Sequence, residues 1–131
     1  MKITINDNRK IFAIQESFSE MFPFLKIEFF SKPNKSGGPS SKKFMRSSSK
    51  TIGECRTVHS NGTLTILPKM KVIDLEQGIR DTFGLSIQVF RKSGNAWLET
   101  TTTVDWTLDE QNRIGEEMSK PEVENEGNKV S

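Results

Sequence analysis

The sequence predicts an α+β fold built as one small domain, and three observations carry this. Two stretches place apolar residues at helical spacing: Ile11, Ile14, Phe18, Met21 and Phe22 in the first, Val72, Leu75, Ile79 and Phe83 in the second. Each is followed at once by β-branched and aromatic residues in alternation, at 25–30 and from 85 onward. With 131 residues, 33% of them apolar, the chain can bury one modest core and not two.

Residues 2–6 alternate, with Ile3 and Ile5 on one face, and read as a first strand. Asp7 is placed to cap the helix that follows, because a short carboxylate accepts the free N–H groups of a first turn. Pro23 ends that helix, since it lacks an N–H and restricts the residue before it. Leu25, Ile27 and Phe29 then alternate with Lys26, Glu28 and Phe30 as a second strand. Strand, helix and strand with short connections fit a right-handed crossover between parallel neighbours.

Composition then changes. Residues 31–50 hold Lys32, Lys35, Lys42, Lys43, Arg46 and Lys50 and no acid, set among Gly, Pro and Ser. Such a stretch offers little to offset the entropy of ordering, so it reads as a mobile basic loop. Residues 51–57 fit a short helix and a strand equally. Asn61-Gly62 is a turn signal. A three-residue loop at 60–62 sets Val58 against Leu64 and Arg56 against Ile66, and the following strand stops at Pro68. In the second helix, Gly78 costs about 1 kcal/mol relative to Ala. Gly84 fits a left-handed stop.

The rest of the chain is organised around residues 85–102. They read as two strands joined by a turn at 92–95, with Val89 opposite Leu98, Phe90 opposite Trp97 and Ile87 opposite Thr100. Ile87, Val89 and Leu98 then share one face, and Phe90 and Trp97 the other. Thr107 and Glu110 form a capping-box pattern that opens a short third helix ending near Gly115. The polar, acidic residues beyond it predict a disordered tail at 116–131, after a domain at 1–115. Strand–helix–strand occurs twice, at 2–30 and 63–92, without sequence identity that marks the halves as copies. That βαβ–βαβ order matches a ferredoxin-like sheet with helices on one face, extended by a C-terminal hairpin strand and the third helix.

No run approaches the ~20 apolar residues of a membrane span. The opening residues lack the apolar centre of a secretory signal, and Cys55 is the single cysteine, so no internal disulfide is expected. A cytoplasmic protein without membrane contact is the expectation. The net charge of +2 hides an asymmetry: residues 1–104 carry sixteen cations and nine acids, residues 105–131 three cations and eight acids. Opposite charge on two segments suits a charged partner or self-contact, and solubility is its plainer use.

Positive evidence of catalysis is lacking. Cys55 and His59 are four apart, and on a helix they would share a face, which suits a thiolate with an imidazole base; in an extended segment they would share a face but sit further apart. Structural packing of Cys55 is the favoured reading, and a zinc site would need distant carboxylates beside this one His. Gly37-Gly38 opens no phosphate-binding fingerprint, no nucleophile elbow occurs, and no cofactor is expected. The basic loop is the strongest functional feature. Arg91 and Lys92, with Phe90 and Trp97, can extend it into a surface of cations and aromatics. The leading reading is a non-catalytic protein-interaction or adaptor module, in which the loop meets an acidic surface or the hairpin edge accepts a partner strand. Single-stranded nucleic acid, held by the loop and the Phe90/Trp97 hairpin, is the alternative, although the aromatic–glycine pattern of an RNA-recognition domain is missing. A small enzyme using Cys55 and His59 comes third.

Overall fold

The structure, a computed structural model, describes residues 1–31 and 44–120. They form two antiparallel sheets and three helices, with no closed barrel. Strand β1 (Lys2–Ile5) pairs with β3 (Gly62–Thr65) in one sheet, and β2 (Leu25–Phe30), β4 (Ser86–Ser93) and β5 (Ala96–Glu99) follow in that order in the other. Helices α1 (Ile11–Met21), α2 (Val72–Phe83) and α3 (Leu108–Met118) complete the fold, with a 3-10 turn at Gly53–Cys55.

Apolar periodicity places the core as expected. Ile11, Ile14 and Phe18 of α1 meet Leu75, Ile79 and Phe83 of α2 in one cluster with Ile3, Ile5, Ile27, Phe29, Ile87 and Val89. Pro23 follows the end of α1 within two residues. At the end of α2, Gly84 adopts φ +66° and donates its N–H to Arg80 O at 3.0 Å.

Four expectations are corrected. Among the described residues no strand pair is parallel, and β1 and β2 lie in different sheets, so they form neither the parallel crossover nor a single ferredoxin-like sheet. The pairs that form instead, β1 with β3 and β2 with β4, join the first half of the chain to the second, so each strand meets its counterpart and not its neighbour in sequence. The segment before β3 is no strand: Val58 is exposed, and Arg56 leaves the 3-10 turn with its side chain buried. Asp7 caps nothing. The N-cap of α1 is Lys10, without a side-chain cap, and the Asp7 carboxylate goes to Arg56 and His59 instead. Finally, the hairpin pairs Phe90 with Glu99, Arg91 with Leu98, Lys92 with Trp97 and Ser93 with Ala96. The turn is therefore Gly94-Asn95, where Gly94 takes φ +60° at the first central position, as a II′ turn requires. The slide of two residues keeps each side chain on its expected face, because the strand period is two.

Part of each expected polar segment belongs to the fold. Residues 44–46 already belong to the sheet: Ser31 N–H donates to Phe44 O and Arg46 N–H to Phe29 O, both at 2.7 Å. At the other end α3 runs to Met118, past the expected stop at Gly115. Residues 32–43 of the expected loop and 121–131 of the expected tail lie outside the described residues.

The structure also reveals an internal duplication. Lys10 bridges to Thr51, and Lys71 to Thr107. Ile11 N–H donates to Lys50 O (2.9 Å) as Val72 N–H does to Trp106 O (3.1 Å), and Phe12 N–H to Ser48 O (3.1 Å) as Ile73 N–H to Val104 O (2.9 Å). Ile52 N–H returns to Arg9 O (2.8 Å) as Leu108 N–H returns to Met70 O (2.9 Å). Thr51 and Glu54 exchange the same side-chain bonds as the capping box of Thr107 and Glu110. Ile52 and Leu108, the residues after each threonine, are fully buried. Ile3 pairs with Leu64, and Glu28 with Gln88, so counterparts of the two halves face each other across both sheets. That is the contact pattern of a two-fold axis, where a residue meets its own equivalent.

Candidate functional site

The second sheet has an outer face that carries Lys26, Glu28 and Phe30 on β2, Gln88, Phe90 and Lys92 on β4, and Trp97 and Glu99 on β5. The alternation that sends Ile27, Phe29 and Val89 into the core sends these to the other face, where Phe30, Gln88 and Phe90 are buried and Lys26, Lys92, Trp97 and Glu99 are not. Lys26 is opposite Phe90, and its Nζ sits 5.5 Å from the Phe90 ring centroid and 5.1 Å from that of Trp97. The same Nζ lies 3.4 Å from Glu28 Oε2. With Met45 these side chains line a depression of about 400 Å³. Phe90 is 8% exposed and Trp97 37%, so one ring is floor and the other rim.

β5 is the edge of that sheet, and all four of its residues are exposed. Trp97 stands on the outer face. Leu98, 39% exposed, stands on the opposite face beside Arg91. Arg91 lies 5.7 Å from the Trp106 ring centroid and donates from Nη1 to Gln111 Oε1 at 2.9 Å. The edge thus carries an aromatic–cation pair on each side. Edge strands are commonly blunted by charge or proline, and here Glu99 is the one charged residue of four.

Of the sequence-predicted site residues, the structure brings Phe90, Lys92 and Trp97 onto one face. Arg91 points to the other face, toward α3, because successive strand residues alternate. Arg46 is held at the far edge of β2, and the Lys50 Nζ lies 3.7 Å from Glu54. Lys32, Lys35, Lys42 and Lys43 lie outside the described residues. Lys26 was missed: its strand alternation was legible, but not that its strand would pair with β4 and set it over Phe90.

Cys55 and His59 make no hydrogen bond with each other. His59 Nδ1 is 2.8 Å from Asp7 Oδ2, and the Asp7 carboxyl is held below its ordinary range by that bond and by Arg56. Burial pushes the Cys55 thiol up, which disfavours the thiolate. Arg56 is the structural centre here. Its Nε and Nη2 donate to Asp7 Oδ1 (3.0 and 2.8 Å), Nη2 also to Asn61 Oδ1 (3.2 Å), and Nη1 to Ser60 O (2.6 Å) and Phe83 O (2.9 Å). Every N–H of the fork is engaged. This ties the 3-10 turn, the β3 approach and the end of α2 together. Among the described residues, no group of three His, Cys, Asp or Glu is placed to hold a metal, and no helix is long and apolar enough to cross a membrane.

No known family model, curated protein or solved structure matches the chain.

Proposed function

We infer that this domain is a protein-interaction module that captures an extended segment of another protein along β5. The observation that carries the reading is the open edge itself, with its residues exposed and Trp97 and Leu98 presented on its two faces. A partner strand would gain ladder hydrogen bonds from the edge, a side-chain depression beside Lys26/Trp97 and contact with the Arg91/Trp106 pair. Tryptophan and arginine are the residue types that most often dominate binding energy at such surfaces.

Selection of short peptides from a random display library tests this. Selected binders should shift the backbone amide signals of residues 96–99, and Leu98→Lys should weaken them at least tenfold. Binders whose shifts avoid β5, or that ignore Leu98→Lys, would refute strand addition.

Single-stranded nucleic acid is the second reading. The cluster of Lys26, Lys92 and Trp97 on one face favours it. Against it, the Lys26 ammonium already covers both rings, and a stacking base would have to displace it. If a fluorescent oligonucleotide binds at low salt and Trp97→Ala abolishes that binding while peptides do not bind, this reading replaces the first.

A further inference from the structure

The duplication has one gap. In the second half the chain continues from the Thr107 capping box into the full helix α3. There Asn112 Oδ1 accepts the Phe24 N–H at 2.8 Å, and Gly115 packs so closely that an added Cβ would lie 2.9 Å from Phe24 Cβ and 3.1 Å from Arg91 Cγ. In the first half the equivalent box at Thr51 opens a single 3-10 turn, and the chain then leaves toward β3. The counterparts of Phe24 and Arg91 are Gly84 and Ser31, which have no side chain or a short one. Where α3 lies in one half, the other half therefore has a cleft of about 340 Å³, and Gly84 and Ser31 line it.

We propose that this cleft is a binding site for a phosphate-bearing small molecule. Arg46, Arg56 and Arg80 line it, from three separate elements. Arg56 is a fixed wall, since all its donors are spent within the protein. Arg46 and Arg80 make no ion pair among the described residues, and Arg46 Nε is buried with no hydrogen-bond partner. That Nε is closed to solvent, so an oxyanion in the cleft would be held by the Nη groups of Arg46 and Arg80, as charge-assisted hydrogen bonds.

Groups that would oppose an anion are occupied. Glu54, the one acid of the lining, is bonded to Thr51 and lies 3.7 Å from Lys50. At the end of α2, Arg80 O accepts from Gly84 N–H and Phe83 O from Arg56. Ser31 and Ser86 add hydroxyl donors on the remaining sides. Donors arriving from several directions suit a tetrahedral phosphate better than a planar carboxylate.

Titration of the intact protein with inorganic phosphate, followed by the arginine Nε–H signals, tests the site. Saturable shifts of Arg46 and Arg80 are expected, beyond those given by chloride at equal ionic strength. Arg80→Gln and Arg46→Gln should each weaken binding about tenfold, the loss of one charge-assisted contact. Arg113→Gln, on the exposed surface of α3, should not. Phosphate should also raise the melting temperature of the parent and fail to raise that of the double arginine variant. Shifts that chloride reproduces would overturn the site. Malonate binding as tightly as phosphate would overturn the phosphate assignment. Because the cleft is apart from β5, either result leaves the strand-addition reading standing.

Discussion

Gln15 on α1 and Glu76 on α2 occupy the same position in the two halves, and each spends its side chain on the strand beside it. Gln15 Nε2 donates to Ile27 O at 2.8 Å and to Glu28 Oε1 at 2.7 Å, whereas Glu76 Oε2 accepts the Val89 N–H at 3.1 Å. Glu76 is 4% exposed, and burial pushes its carboxyl up to about 7.

The Glu76 carboxyl carries a pH dependence with a definite sign. The unfolded chain releases this proton near the ordinary value of 4.5, the folded chain near 7. Between those values the folded state binds more protons, so stability falls as pH rises through the window and stays lower above it. The loss is roughly 2–4 kcal/mol. Glu76→Gln keeps an acceptor for Val89 and copies the residue used in the other half. Urea unfolding at pH 5 and pH 8 should show the variant more stable than the parent at pH 8, with a smaller difference between the two pH values. An unchanged pH difference would show that Glu76 is not the group responsible.

Arg56 holds three segments at once, so its removal should be felt globally. Arg56→Met leaves Phe83 O, Ser60 O and Asp7 without their donor and should cost roughly 2–4 kcal/mol. His59→Ala touches only the exposed end of the cluster and should leave the midpoint close to that of the parent. Denaturant midpoints for the two variants check this. A mild Arg56→Met would mean that water replaces the guanidinium.

Two helical glycines predict opposite outcomes. A Cβ at Gly78 meets nothing within 4 Å, so Gly78→Ala should stabilise α2 by about 0.5–1 kcal/mol. A Cβ at Gly115 would lie 3.0 Å from Phe24 O and 2.9 Å from Phe24 Cβ, so Gly115→Ala should destabilise by about 1–3 kcal/mol. Thermal melts of the two variants should move in opposite directions. If Gly115→Ala is neutral, α3 is not seated as tightly as the geometry requires.

The hairpin register is open to direct measurement. Nuclear Overhauser contacts across β4 and β5 should join Lys92 to Trp97 and Phe90 to Glu99. A direct Phe90–Trp97 backbone pairing would restore the register that a Ser93-Gly94 turn implies. Gly94→Ala should cost about 1 kcal/mol, because φ +60° strains any residue with a Cβ.

What the sequence determined by itself was local. The stripe of Ile11, Ile14 and Phe18, the alternation of Leu25, Ile27 and Phe29, the Gly84 stop and the Thr107–Glu110 box each act over a few residues, so spacing alone exposes them. The faces of Phe90 and Trp97 were legible for the same reason, since alternation survives a slide of two. Pairing was decided only by the tertiary structure. Which strand meets β1, and whether Gly94 sits first or second in its turn, depend on competition among edges far apart in sequence. The duplication stayed hidden because it resides in hydrogen bonds between backbone groups, such as Ile11 to Lys50 and Val72 to Trp106, which tolerate almost any side chain. Its sequence traces were the strand–helix–strand order that occurs twice and the repeated Thr-x-x-Glu at 51–54 and 107–110. The cleft beside Arg46 and Arg80 was beyond reach of the sequence, because it exists only where the first half lacks the helix that the second half has.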